Sequence, residues 1–297
     1  MRKKTIALLV AALAVILGLS FGASEYPVTE KEEIRKTLTF ADPAKAKSLA
    51  VDNIFGSIEV AGGSGQEVEM VIVKTIRAKS QEKLLKAKEE VILDISQDGN
   101  DLLLFVDGPF RSKEEDRPSR WKSTESRERR LPGYEVQYDF KVKVPREIDL
   151  DIRTVTDGTI KVDNIAGDFV VRHVNGPIEM TAIVGSGKAQ TVNGGVRVLF
   201  RRAPSAACSF KTINGKLEVY FPEGLKADFR LKTFNGEIYS DFPVTYLPAQ
   251  PPIQEHKDGK FIYKSDRFFG VRVGAKGGPE IKMDSFNGDI FINKNKA

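Results

Sequence analysis

His173-Val174-Asn175-Gly176-Pro177-Ile178-Glu179-Met180, Thr191-Val192-Asn193-Gly194-Gly195-Val196-Arg197-Val198 and Thr212-Ile213-Asn214-Gly215-Lys216-Leu217-Glu218-Val219 repeat one eight-residue phrase. Val155–Val162 carries it with Asp157-Gly158, Thr233–Ser240 with Asn235-Gly236, and Ser285–Ile292 with Asn287-Gly288. The glycines are 18, 18, 21, 21 and 52 residues apart, and Gly167, Gly185 and Gly224 each follow a repeat glycine by nine. An early copy, Ile54-Phe55-Gly56-Ser57-Ile58-Glu59-Val60, keeps the frame with Phe55 in the asparagine place. A period of this length decides a fold before any single residue does.

In each copy an apolar residue precedes the Asn-Gly, and apolar residues alternate after it, as in Ile213, Leu217 and Val219. That pattern is a half-buried strand entered through a tight turn, and Asn and Gly suit the turn because both tolerate positive φ. Two architectures compete. Asn-Gly between alternating strands is a type I′ hairpin signal, which would give an antiparallel meander. The alternative is a parallel β-solenoid of 18–21-residue coils, with equivalent residues of successive coils ~4.8 Å apart. The outward position four after the Asn or Asp reads Lys161, Glu179, Arg197, Glu218, Tyr239, Phe291. Alternating charge followed by aromatics suits stacked neighbours, and a meander gives no reason for it. The solenoid is therefore the expected fold, with the Thr191, Thr212, Thr233, Ser285 row and the asparagine row as hydrogen-bonded ladders.

Two insertions interrupt the rhythm. Residues 68–107 read as strand, helix, strand: Ser80 caps a short helix through Val91, and Gln97-Asp98-Gly99-Asn100 turns into Asp101–Val106. Arg111–Arg130 then carries eight basic and five acidic residues and the only tryptophan, Trp121. It reads as a solvated loop before a strand at Tyr134–Pro145. Asp241–Met283 opens with Pro243, Pro248, Pro251 and Pro252 and reads as an extended excursion with one or two added strands. Its expected role is to cap the coil stack.

Residues 1–24 read as a cleaved secretory signal. Arg2, Lys3 and Lys4 precede the apolar run Thr5–Leu19, and Gly22, Ala23 and Ser24 supply the small residues of a cleavage site. The run falls short of the ~20 residues a spanning helix needs, so no transmembrane anchor is expected after cleavage. Without this segment 43 basic residues face 41 acidic ones, a balance that excludes a nucleic-acid binder. One cysteine excludes an internal disulfide framework, and two histidines leave little for zinc.

The signal, the head Asp52–Val60, the Thr-Val-Asn-Gly-x-Ile-x-Val units and Gly277-Gly278-Pro279-Glu280-Ile281 before Asp284–Ile290 together resemble the bacterial DUF4097 family of adhesin-labelled β-solenoid proteins. The similarity spans roughly residues 37–293. It implies a right-handed parallel β-helix in the cell envelope or outside the cell. It carries no catalytic motif over.

Motifs for chemistry fail on inspection. Gly185-Ser186-Gly187-Lys188-Ala189 lacks the first glycine and the Ser or Thr of a phosphate loop, and reads as a half-coil turn. Calcium β-rolls need an aspartate in each turn, where this chain has asparagine. The pairs Asp149 with Asp151 and Asp163 with Asp168 do not recur at coil spacing. His173 stands where other coils place Thr and reads as a ladder residue facing water. Cys208, beside Ala206, Ala207 and Phe210, reads as a small buried residue.

The expected protein is all-β, a solenoid with a short helical insertion near its N-terminus. Residues 25–150 form the N-terminal strands, first coil, helix and charged loop, and 151–297 the repeat coils with the 241–283 insertion. The expected function is a non-enzymatic, exported binding or scaffold module, placed in the periplasm, at the cell surface or outside the cell. The alternative is a polysaccharide-active β-helix enzyme. No cofactor or metal is expected; the partner is an envelope protein or glycan, and self-association stays open. Trp121 is the one candidate binding residue.

Overall fold

The computed structural model describes residues 15–19, 25–111, 133–248, 253–257, 260–264 and 268–295. The segment 112–132, with the candidate Trp121, lies outside the described residues, as does most of the expected signal. The chain is nearly all β, with two large mixed sheets and one helix. It divides into two units, Met1–Lys161 and Val162–Ala297.

In the first unit the strands are β1 (Val15–Leu19), β2 (Val28–Thr39), β3 (Ser48–Asp52), β4 (Ile58–Gly63) and β5 (Glu67–Ala78). Helix α1 (Gln81–Glu90) follows, then β6 (Ile92–Asp98), β7 (Asp101–Asp107), β8 (Tyr134–Pro145) and β9 (Asp149–Arg153). Strict alternation makes β8: Tyr134, Val136, Tyr138, Phe140, Val142 and Val144 are buried, and Lys141 and Lys143 between them are exposed. β5 lies antiparallel between β2 and β8, and β4 runs parallel to β8. β3 pairs parallel with both β7 and β9, while β6 and β7 form an antiparallel hairpin through the expected Gln97–Asn100 turn, with Gly99 at φ 61°.

The helix starts at the expected cap. Ser80 Oγ accepts from Lys83 N at 3.3 Å, Leu84 and Ala87 are buried, and Lys86 pairs with Glu90 at 3.6 Å. Its end is tied to the sheet. Buried Lys74 donates to Val91 O at 2.8 Å and lies over the Tyr138 ring, and Tyr134 donates its hydroxyl to Glu90. Burial holds the Lys74 ammonium below its ordinary pKa.

β10 (Ile160–Asp163) leads into the second unit, which holds β11 (Phe169–Arg172), β12 (Ile178–Ile183), β13 (Gly187–Gln190), β14 (Val196–Phe200), β15 (Cys208–Asn214) and β16 (Leu217–Phe221). Then come β17 (Ala227–Asn235), β18 (Ile238–Ser240), β19 (Val244–Tyr246), β20 (Ile253–Lys257), β21 (Lys260–Lys264), β22 (Phe269–Val273), β23 (Glu280–Asn287) and β24 (Ile290–Lys294).

Here the chain changes sheet at every Asn-Gly. β12, β14, β16, β24 and β18 lie parallel in one sheet. β11, β13, β15, β23 and β17 lie parallel in the other. The asparagines pair in register, Asn175 with Asn193 and Asn193 with Asn214, as do Glu179, Arg197 and Glu218. The Asn-Gly is therefore a corner between sheets, and the hairpin meander does not form.

The order of the last repeats differs from the chain order. β23 and β24, the copy at Ser285–Ile292, lie between the copy at Thr212 and the copy at Thr233. All three copies present the same corner and the same inward alternation, so the final copy fits between its predecessors. The 241–283 excursion supplies the length for the return. It holds four strands where one or two were expected: β22 and β19 extend the β17 edge antiparallel, and β20 and β21 form a separate hairpin. The capping role is thus met at that one edge, and β18 remains the outermost strand of its own sheet.

Between the sheets the rings of Phe169, Phe210 and Phe221 surround Phe200 at centroid distances of 6.4, 6.2 and 5.4 Å, and Phe229 meets Phe221 at 5.8 Å. At the corners the backbones are in near contact. A Cβ on Gly288, at φ 152°, would lie 2.0 Å from Gly215 O. Phe200→Ala is expected to lower unfolding free energy by ~3–5 kcal/mol, measured by denaturant titration. Gly288→Ala is expected to cost about 3 kcal/mol or more through clash and positive φ together.

Candidate functional site

The asparagine row is a continuous amide ladder. Asn235, Asn287, Asn214 and Asn193 each donate Nδ2–H to the next Oδ1, ending on Asn175, at 2.7–2.8 Å. The threonine row behaves differently from the expected side-chain ladder. Its members face inward and donate to main chain: Thr191 to Gly176 O, Thr212 to Gly194 O, Ser285 to Gly215 O and Thr233 to Gly288 O, at 2.8–3.2 Å. His173, in that row, is buried and not facing water, and its Nδ1 accepts from Val174 N at 2.9 Å. A buried corner carbonyl needs a donor, which is why the row holds hydroxyls.

The outward positions beside these rows carry the candidate site. On one side of the corner Ile213, Phe286 and Phe234 follow one another across β15, β23 and β17. The Phe286 and Phe234 rings stack at 4.9 Å and 5° and are 48% and 63% exposed. On the other side Glu218, Phe291 and Tyr239 follow across β16, β24 and β18, with Phe291 and Tyr239 stacked at 4.9 Å and 9°. Phe291 thus precedes Tyr239 in the stack, the reverse of their chain order.

A stacked pair covers its own inner faces, so what it offers a partner is ring edges and the outer face of the last ring. Phe234 and Tyr239 are those last rings. Along β17, β22 covers Ala227–Leu231 and stops short of Phe234, and Tyr239 sits on the outermost strand. Both belong to one repeat, on either side of Asn235-Gly236. Tyr239 donates its hydroxyl to Glu237 at 2.5 Å, which orients the ring and raises its phenol pKa. Tyr246, 74% exposed, meets Phe269 at 5.8 Å on the added strands nearby in sequence. Sequence reading placed Phe291 and Tyr239 in the outward row but did not select them as binding residues. The signal was there in the aromatics that replace charge in the last two copies.

The groups weighed for chemistry are engaged in structure. Asp163 accepts from Thr181, and Asp168 accepts from Ser186 N at 3.3 Å. Ser186 Oγ in turn accepts from Ala206 N at 3.0 Å, and a Cβ on Gly185 would lie 2.1 Å from Gly167 O, so this loop is a tightly stacked half-way turn. Cys208 is buried, and burial pushes its thiol up. Among the described residues no three His, Cys, Asp or Glu side chains come together in a metal-binding group. In the first unit Arg111 ends the described chain before the charged loop. It is held by Asp52 at 3.0 Å and by the Phe105 ring at 4.1 Å.

No family model matches the chain, and no curated protein matches it. Among solved structures it is similar to a candidate cell adhesion protein from Clostridium sporogenes at 11% identity and TM-score 0.41, covering 89% of this chain and 100% of that one. A candidate adhesin from Bacteroides fragilis gives 10% identity and TM-score 0.36, covering 89% and 97%. A lipid-binding candidate from Parabacteroides distasonis gives 12% and 0.24, covering 89% and 97%. At these values the likeness transfers no residue role and no ligand. No helix among the described residues is long and apolar enough to cross a membrane.

Asn214→Ala removes one donor and one acceptor from the ladder and is expected to cost about 1 kcal/mol, read from the unfolding midpoint. The added strands have a pH-dependent fastening. Arg272 grips Asp228 through two 2.7 Å bonds and holds its carboxyl below the usual value. A carboxylate with a lowered folded pKa stabilises above the unfolded value and loses that contribution as pH falls through the folded one. Amide protection in β22 is therefore expected to decline below about pH 4, and Asp228→Asn to abolish that dependence.

Proposed function

We propose that the chain is a non-enzymatic binding module of the cell envelope or surface, built as a parallel β-solenoid, whose last repeat engages a macromolecular partner, glycan or protein. The observation that carries this is the pair of exposed, stacked ring ladders ending in Phe234 and Tyr239. Among the described residues, seven of the nine large exposed apolar side chains lie in the second unit, from Ile213 to Phe286. A flat ring with an open face gives contact area at small entropic cost, and such residues dominate recognition surfaces. The solenoid reading is supported by the in-register parallel ladders of the second unit, and two placements depart from sequential stacking: β23 and β24 lie inside β17 and β18, and β3 lies between β7 and β9. Export is supported by the signal-like residues 1–24.

A catalytic reading has less behind it, because two of the carboxylates considered for it, Asp163 and Asp168, are taken up by Thr181 and Ser186 N. The test is binding of the wild-type chain and the double variant Phe234→Ala/Tyr239→Ala to a glycan array and to isolated envelope proteins. The expected result is a wild-type ligand whose affinity falls about tenfold or more in the variant, with melting unchanged within a few degrees. Equal binding by both proteins, or release of new reducing ends from any bound glycan, overturns the proposal.

A further inference from the structure

The outward face of the β11-β13-β15-β23-β17 sheet carries two more rows beside the Ile213, Phe286, Phe234 row. Strand register sets Lys188, Ser209, Lys282 and Arg230 side by side, and next to them Arg172, Gln190, Lys211, Asp284 and Lys232. Across five strands these rows hold six cations and one carboxylate, Asp284, which Lys211 approaches at 3.9 Å. Phe268 lies across the end of both rows, with Lys282 Nζ 4.2 Å, Lys232 Nζ 5.5 Å and Arg230 Cζ 5.7 Å from its ring centre. The next row along β17 and β23 sets Asp228 beside Glu280, with Arg272 on Asp228, so the cations are concentrated in these two rows and not over the whole face.

We propose that this face binds a linear acidic polysaccharide laid across the strands, parallel to the rows. The inference rests on the reading of the last repeat as a recognition surface and names its ligand class. Three observations select it. The rows run perpendicular to the strands, and Arg172, Lys211 and Lys232 fall on every second strand, a repeat of about 9.6 Å. An extended acidic peptide presents same-side groups every ~6.8 Å and falls out of step. The neighbouring aromatic row turns ring edges outward, and the edge is the positive part of the ring quadrupole, so it too tolerates anions. At the end of that row the open face of Phe234 suits the apolar face of a sugar ring. Contacts spread along the rows in this way suit a polymer bound through many weak, screened contacts rather than a small anion held in a pocket.

The test is binding of the full chain to polygalacturonate, alginate and hyaluronate. Fully methyl-esterified polygalacturonate serves as the uncharged partner, and phosphatidylglycerol vesicles as the anionic lipid. The expected result is binding to at least one acidic polymer that weakens several-fold as salt rises, and is lost on esterification. Lys188→Gln/Lys211→Gln should weaken it about tenfold with unchanged melting, since both side chains are solvent-facing. Binding to none of the three acidic polymers, equal binding to the ester, or preference for the vesicles overturns the proposal. Retained, Phe234-dependent binding to a neutral glycan in that case would leave the recognition surface standing while removing its charge preference. Loss of every ligand would remove both.

Discussion

The close approach of one Asn-Gly corner to the next governs this molecule. At Gly215 an added Cβ would lie 2.0 Å from Gly194 O, and at Gly236 it would lie 2.4 Å from Gly288 O. Only glycine permits backbones to pass at that distance, so contact fixes the residue after the asparagine at Gly215 and Gly236, and positive φ adds to it at Gly194 and Gly288. Once the corners stack, the rest follows from register. Asparagine amides fall into a ladder, threonine hydroxyls fall beneath corner carbonyls, and inward aliphatic and aromatic residues meet their counterparts between the sheets.

The phrase made the strands, the corners and their parallel register legible, because each copy repeats the same alternation around the same dipeptide. The helix was equally plain from its cap at Ser80. Burial of the Thr row was not. Outward threonine ladders and inward carbonyl donors use the same residue at the same interval, and only the position of the glycine carbonyl separates them. His173 was misplaced for that reason. The place of the last repeat was also hidden. Three copies with equal corners and equal inward pattern can be ordered in more than one way, and pattern alone assigns them chain order. The candidate site was half visible: Tyr239 and Phe291 stood out as aromatics in a charged row. The basic rows could not be read without knowing that β23 lies between β15 and β17, which puts Lys282 beside Arg230.

Inside and outside divide the work along each strand. Inward rows stay apolar from copy to copy while changing in size, as in Val171, Ala189, Phe210, Met283 and Leu231, and supply the stability of the stack. Outward rows vary, alternating charge over the middle copies and turning aromatic or cationic toward the end. The repeated backbone thereby converts differences among copies into an ordered surface, with chemistry set by row and position set by strand number.

The placement of the last repeat bears on how the chain reaches its final form. A polypeptide leaving the ribosome, or threading through a translocation pore, presents residues 227–240 before 280–295 exist outside. At that moment the Thr212 copy and the Thr233 copy have matching registers and nothing between them. Equal registers would let them close on each other, and β23 and β24 have to lie between them in the finished fold. Completion of the stack therefore waits on residues 280–294. A message truncated by a few dozen codons would encode a shorter stack, with the Phe286 and Phe291 rings missing and the neighbouring cation rows drawn together.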